Sequence, residues 1–150
     1  MLYDRSKKLT EEQRTAYRNT RYEARLKNET AIIRVGMHCQ TLDSICEEHA
    51  VSSWAFITAC NPLSQELTDA DNQHRQQLLK SLLVAGGYLH YEGSGVGESG
   101  DWPPEPSFLI LGMDRHKAMA YAQVFDQHAI CYGEPDGEAQ LLICSTANLT

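Results

Sequence analysis

The sequence lacks a long hydrophobic run and an excess of positive charge. No stretch approaches the roughly 20 apolar residues that a membrane-spanning helix needs. The first residues, MLYDRSKKLTEEQ, contain no apolar segment of the kind found in secretory signals. Lys and Arg total 13 against 20 Asp and Glu, so the formal net charge is −7. Nucleic-acid binding needs clustered Lys and Arg, and we therefore expect neither a nucleic acid nor a membrane as partner.

Cysteine is also too sparse and irregular for a disulfide-stabilised secreted domain. The chain has five, an odd number without dense spacing: Cys39, Cys46, Cys60, Cys131 and Cys144. We expect a cytoplasmic protein with reduced thiols. His38, Cys39, Cys46 and His49 superficially suggest a metal site, but adjacent ligands suit a tetrahedral ion poorly, and Cys46 and His49 also fit the buried face of a helix. The sequence predicts no metal and no cofactor.

The common catalytic signatures are missing too. The chain has no Gly-x-Ser-x-Gly elbow, and its glycine-rich segment 93–100 matches neither a P-loop nor a dinucleotide-binding fingerprint. Cys60 has no base that its spacing identifies. The sequence therefore leaves open whether this protein is an enzyme.

Hydrophobic periodicity and helix caps predict one domain over residues 1–150, with residues 1–10 disordered. In chain order we expect a short helix after Thr10, a hairpin at 21–26 and 31–35, a helix after Thr41, a strand at 54–59, a helix from Thr68 to Gly86, strands at 88–91 and 107–111, a helix after Asp114, and strands at 129–132 and 140–144. Between 54 and 132 the order is β-α-β-β-α-β. This order predicts an α+β fold with a ferredoxin-like, split βαβ core, extended by the N-terminal hairpin and the C-terminal strand.

One polar site is predicted where the strand at 54–59 leads into the next helix. Asn61 precedes a proline and is therefore expected in a turn, with Ser64 close by. The core face of the helix is apolar in its second half and polar in its first, where it carries Asn72 and Arg75. Such a group at a helix N-terminus favours an anion. The alternative is that Asn61 and Ser64 only cap the turn and Arg75 lies in solvent.

A second candidate is the segment 93–107, in which glycines are followed by Trp102, three prolines and Glu105. A flexible half joined to a stiff half could form a lid over a ligand; the alternative is an exposed loop with Trp102 packed on the core edge. Glu105 is the best candidate for a general acid or base, or for a partner of Arg75, which would lower its pKa. Gln127 either reaches this site or only closes a turn.

Three phrases carry a resemblance to a known family: TAYRNTRY at 15–22, SWAFITACNPLS at 53–64 and GDWPPEPSF at 100–108. They resemble an uncharacterised bacterial family, a domain of unknown function with the number 3293. The resemblance implies that the family's pattern includes Asn61, Ser64, Asn72, Arg75, Trp102, Glu105 and Gln127. The family has Phe-Gly-Gln where this chain has Phe125-Asp126-Gln127, which puts a left-handed glycine there in doubt. The resemblance implies no activity or cofactor.

Three functions follow as hypotheses. The first is a small-molecule-binding domain for an anionic or nucleotide-like metabolite, held by Asn61 and Arg75 and covered by the Trp102 loop. The second is an enzyme at the same site, with Glu105 as acid or base. The third is a protein–protein interaction module that uses the sheet edges and the proline strip. A ferredoxin-like fold hosts all three, and neither the oligomeric state nor the roles of Tyr17 and Arg21 can be predicted.

Overall fold

The described part of the chain contains four helices and seven strands, which make up a mixed α+β fold. The computed structural model describes residues 2–98 and 102–144. In chain order the elements are α1 (Glu11–Asn19), β1 (Arg21–Arg25), β2 (Thr30–Ile33), α2 (Gln40–Glu48), β3 (Trp54–Ile57), a 3-10 turn (Pro62–Ser64), α3 (Asp69–Ala85), β4 (His90–Val96), β5 (Glu105–Leu111), α4 (Arg115–Val124), β6 (Ala129–Gly133) and β7 (Gln140–Ile143). The predicted α+β class is confirmed. None of the helices in the described ranges is long and apolar enough to cross a membrane.

Side-chain caps define the starts of three helices, as the sequence predicted. The hydroxyl of Thr10 accepts from the backbone N–H of the third helical residue at 3.1 Å, and Thr68 does the same for α3 at 3.1 Å. The carboxylate of Asp114 caps α4 with a 2.7 Å bond. Each cap satisfies a backbone N–H that has no partner within the helix, so the boundaries are set by local chemistry.

The seven strands form one antiparallel sheet in the order β2-β1-β4-β5-β3-β6-β7. Helices cover both faces. On one face, Leu79 and Leu83 of α3 and Ala118 and Ala122 of α4 share a core cluster with Ile110 of the sheet. On the other face, α2 packs against residues of β3 and β5. Within this sheet, the start of β5 and the segment after β3 come together beside the first turn of α3.

The structure corrects the prediction for β4. This strand starts at His90 rather than Tyr88 and continues to Val96, through half of the segment predicted as a glycine-rich loop. It pairs with β1 on one side and β5 on the other. A Cβ atom at Gly93 would lie 2.4 Å from the carbonyl oxygen of Glu23 and 2.9 Å from the ring of Phe56. Gly93 is therefore required by a close approach of strands, which the sequence pattern does not distinguish from loop flexibility.

Both ends of the segment 93–107, the predicted lid, belong to strands. Its proline-rich end is strand from Glu105, two residues earlier than predicted, because β4 and β5 pair as far as Gly95 and Glu105. Positions 99–101 of the predicted loop lie outside the described residues.

The segment before α1 forms no helix or strand at positions 2–10. It contacts the rest of the fold, since Tyr3 and Arg5 both donate to Asp126. The disorder expected for residues 1–10 stays a prediction.

Candidate functional site

The segment that follows β3 has an unusual backbone. Asn61, Leu63 and Ser64 all have positive φ, at 48°, 52° and 61°. Residues other than glycine rarely adopt this left-handed region, because each such residue costs about 1–3 kcal/mol of conformational energy. They persist only where contacts with the surrounding structure hold them in place. The surrounding structure therefore stabilises this segment through its polar contacts.

Asn61 is the centre of the first group of contacts. Its Nδ2 donates to Oε2 of Glu105 at 2.8 Å. Its Oδ1 accepts from Nδ2 of Asn72 at 2.8 Å and from the backbone N–H of Leu67 at 3.0 Å, while its own backbone N–H donates to Oδ1 of Asn72 at 2.8 Å. The structure thus brings three predicted site residues, Asn61, Asn72 and Glu105, into one hydrogen-bond network.

Glu105 is a mostly buried carboxyl at the start of β5. Burial raises its pKa to about 7, although hydrogen bonds from the side chains of Asn61 and Trp102 act in the opposite direction. The expectation of a lowered pKa was wrong because no guanidinium pairs with this carboxyl. A carboxyl with a pKa near 7 can take up or release a proton at neutral pH.

The network opens onto a cleft of about 690 Å³, a volume typical of small-molecule sites. The cleft lies between the first turns of α3 and residues 102–106, which we call the proline segment. Its lining residues are Cys60, Asn61, Glu66, Leu67, Thr68, Asp69, Asn72, Gln73, Gln76, Trp102, Pro103, Pro104, Glu105 and Pro106. Trp102 is 41% exposed here. Among the described lining residues there are three carboxylates and no Lys, Arg or His.

Arg75 does not reach this cleft. Its Nε donates to the carbonyl oxygen of Ala59 at 2.6 Å, and its Nη2 donates to the carbonyl oxygen of Phe125. The guanidinium also lies 5.5 Å from the ring centroid of Tyr3. Arg75 was predicted to bind an anion, or alternatively to lie in solvent. The solvent alternative was wrong, because Arg75 is partly buried and two of its donors bind carbonyl groups that join the end of β3 to the end of α4. A role of Arg75 in binding an anion stays a prediction.

Ser64 and Gln127 also lie away from the cleft. Ser64 Oγ is 3.0 Å from Nδ1 of His128 and 3.4 Å from the hydroxyl of Tyr17. Gln127 is buried, and its Nε2 donates to the carbonyl oxygens of Cys60 at 3.0 Å and Phe125 at 3.3 Å. The seven predicted residues therefore divide into four that line the cleft and three that hold the strained segment in place.

The left-handed backbone at position 126 is present without a glycine. Asp126 has a φ of 51°, and Asp is one of the residues that tolerate this region. Its carboxylate accepts from Tyr3 and from Nη2 of Arg5 at 2.8 Å. The departure from glycine thus preserves the turn and adds an anchor for the N-terminal segment.

Sequence reasoning missed two acidic residues of the cleft, Glu66 and Asp69, both of which are exposed. The signal available in the sequence was the cluster of acidic residues around Thr68: Glu66, Asp69 and Asp71. Cys60 also lines the cleft, and burial raises the pKa of its thiol to about 11. Only the thiolate is nucleophilic, so Cys60 is unsuited to nucleophilic chemistry near neutral pH.

Two of the four residues that superficially suggested a metal site, Cys46 and His38, make structural contacts. Cys46 is fully buried in the core beneath α2. His38 hydrogen-bonds the carboxylate of Asp43, which also accepts from the backbone N–H of Asp136 at 2.9 Å. These contacts attach α2 to the turn between β6 and β7.

One protein family matches the chain, and its model covers residues 57–130. Its description is protein of unknown function (DUF3293). All seven predicted site residues fall within the matched range. No curated protein and no solved structure is significantly similar to the chain.

Proposed function

Residues 57–130 belong to the DUF3293 family, whose function is unknown, and from the geometry of the site we propose that this protein binds a small molecule. The ligand occupies the cleft between α3 and the proline segment. Asn61, Asn72, Trp102 and Glu105 contact it. The observation that carries this proposal is a partly buried carboxyl, fixed by side-chain amides, at the wall of a cleft of about 690 Å³.

The fixed geometry of the polar groups supports binding. Asn61 and Asn72 hold each other through two hydrogen bonds of 2.8 Å, and Asn61 holds Glu105 through a third. Pro103 and Pro104 follow Trp102 directly and limit the backbone conformations available to its segment. A site whose side chains are already ordered loses little conformational entropy when a ligand binds.

We infer further that residues 54–133 form a ferredoxin-like core. The support is the strand order β4-β5-β3-β6, in which the first and third strands of the β-α-β-β-α-β unit are the central neighbours. The helices α3 and α4 also share one face of the sheet. Because the ferredoxin-like fold hosts many unrelated functions, the proposed small-molecule binding is argued from the cleft and not from the fold.

A thermal-shift screen against cationic, neutral and anionic small molecules tests the proposed function. A ligand at 100 times its Kd adds about 2.7 kcal/mol to the free energy of unfolding. We expect at least one such ligand, whose effect is lost in Trp102→Ala. Leu89→Ala is the matched control, since Leu89 is a large apolar side chain that is exposed to the same degree and lies outside the cleft. A screen without any stabilising ligand, or a hit that Trp102→Ala leaves unchanged, would overturn the proposal.

The second candidate is an enzyme that uses Glu105 as general acid or base. The specific observation in its favour is the pKa of about 7 for a carboxyl that lines the cleft. If the bound molecule is a substrate, Glu105→Gln lowers its turnover by a much larger factor than it weakens its binding. Turnover that survives in Glu105→Gln would exclude Glu105 as the catalytic acid or base.

A further inference from the structure

The charges around the cleft are of one sign. Glu66, Asp69 and Glu105 come from three parts of the chain: the segment before α3, the first turn of α3, and the start of β5. Within the ranges that the structure describes, no Lys, Arg or His side chain lines the cleft. The one cation that the sequence placed nearby, Arg75, is bound to backbone carbonyl groups instead. An anionic ligand would thus meet three carboxylates and no counter-charge.

The helix N-terminus does not reverse this charge balance. An N-terminus of a helix favours anions, but the first turn of α3 already holds Asp69 and Asp71, and the hydroxyl of Thr68 caps the N–H of Asp71. The positive end of the helix dipole is thus already compensated by groups of the chain itself.

Trp102 adds a surface that is suited to a cation. The chain has two tryptophans; Trp54 is buried, whereas Trp102 lines the cleft and is 41% exposed. The Trp102 side chain also hydrogen-bonds the carboxyl of Glu105. An exposed indole face attracts ammonium and guanidinium groups through its quadrupole, more strongly than the other aromatic side chains.

Glu105 itself lacks a positive partner. Its carboxyl receives hydrogen bonds from the neutral side chains of Asn61 and Trp102. A cation that entered the cleft would supply the opposite charge that favours the ionised form of this partly buried carboxyl.

We propose that the cleft selects a positively charged organic ligand, in which an ammonium or related cationic group lies between the carboxylate of Glu105 and the indole of Trp102. Glu66 and Asp69 attract the same charge at the exposed side. This inference rests on the proposed small-molecule function and specifies the chemical class of its ligand.

Three probes of matched shape and different charge test the inference: benzylamine, which is an ammonium ion at mildly alkaline pH, benzyl alcohol, which is neutral, and benzoate, which is an anion. Binding is followed by the fluorescence of Trp102, since Trp54 is buried away from the ligand. We expect benzylammonium to bind at least about tenfold more tightly than benzyl alcohol, because it gains both a charge pair with Glu105 and a cation–π contact with Trp102. Benzoate should bind more weakly than both.

Variants separate the role of Glu105 from general electrostatics. Glu105→Gln should abolish the preference for benzylammonium over benzyl alcohol. Glu92→Gln is the matched control, because Glu92 is an exposed carboxylate of β4 that does not line the cleft, and it should keep the preference. Asp69→Asn, at an exposed position, is a second variant that leaves the buried network intact and should reduce the preference in part.

The outcomes distinguish the inference from the proposed function. If neutral or anionic probes, or neutral or anionic hits of the broader screen, bind as tightly as cations, the inference is wrong and the small-molecule function stands. A preference that Glu92→Gln removes as strongly as Glu105→Gln would also overturn it. If no molecule of any charge binds, the proposed function itself fails.

Discussion

Replacing Glu105 with Gln should change how the stability of the protein depends on pH. In the folded protein the pKa of Glu105 is about 7, against an ordinary value of 4.5. The folded state therefore binds this proton more tightly than the unfolded state does. The resulting stabilisation is fully present below about pH 4.5, and it is lost as the pH rises through the folded pKa near 7.

The size of this effect follows from the difference in pKa. A shift from 4.5 to about 7 corresponds to roughly 3 kcal/mol, since one pKa unit equals about 1.4 kcal/mol. The glutamine at position 105 of the Glu105→Gln variant does not titrate, and its side-chain oxygen can still accept a hydrogen bond from Asn61. We expect the variant to match the native chain at acidic pH and to exceed its free energy of unfolding by up to about 3 kcal/mol at mildly alkaline pH.

Urea unfolding of both proteins between about pH 5 and about pH 8 measures this difference. Because both proteins share every other titrating group, the difference between their curves isolates Glu105. Its neighbours Tyr17 and Cys60 have pKa values raised by burial to about 12 and about 11, so neither titrates in this range. Glu92→Gln, at an exposed position, should run parallel to the native curve. If the Glu105→Gln curve is also parallel, Glu105 has no raised pKa and the reasoning is refuted.

Three further predictions concern the supports of the site. Arg75→Ala leaves two backbone carbonyl groups without their charged donor and should lower the free energy of unfolding by about 2–4 kcal/mol; a loss below about 0.5 kcal/mol would show that these bonds do not hold the strained segment. Gly93→Ala should destabilise the protein by about 2 kcal/mol or more, because its Cβ would meet backbone at 2.4 Å, whereas Gly97→Ala, with no atom within 4 Å, serves as the control. Equal unfolding midpoints for the two glycine variants would contradict the strand assignment. Asn61→Ala removes a donor that lowers the pKa of Glu105, so carbon NMR of that carboxyl should show a midpoint above about 7, and an unchanged midpoint would exclude the Asn61 bond as a cause.

Helix boundaries were predictable because their causes are local. Thr10, Thr68 and Asp114 each cap a helix through a bond to a backbone N–H three residues ahead. The antiparallel hairpin of β1 and β2 likewise follows from two apolar patterns around a short turn. In contrast, the start of β4 depended on partners far along the chain. A glycine that touches Glu23 across the sheet looks the same in a sequence as a glycine in a loop.

The candidate site was predictable only in part for the same reason. The pattern of α3 correctly placed Asn72 and Arg75 on the face that meets the segment after β3, because helical spacing determines the face that a residue occupies. It could not determine where a side chain as long as that of Arg75 ends. In the fold, the carbonyl oxygens of Ala59 and Phe125 lie within its reach and bind the guanidinium.

By itself, the sequence determined the α+β class, the helix caps and the set of residues from which the site is built. Only the tertiary structure decided which of these residues line the cleft and what charge that cleft carries. The physical reason is that a buried charge depends on the groups that surround it in three dimensions. Glu105 contacts the neutral side chain of Asn61, whereas the sequence suggested the positively charged Arg75 as its partner. Because Arg75 does not line the cleft, its three carboxylates have no positive charge among the described lining residues, and the expected anion site is an acidic cleft.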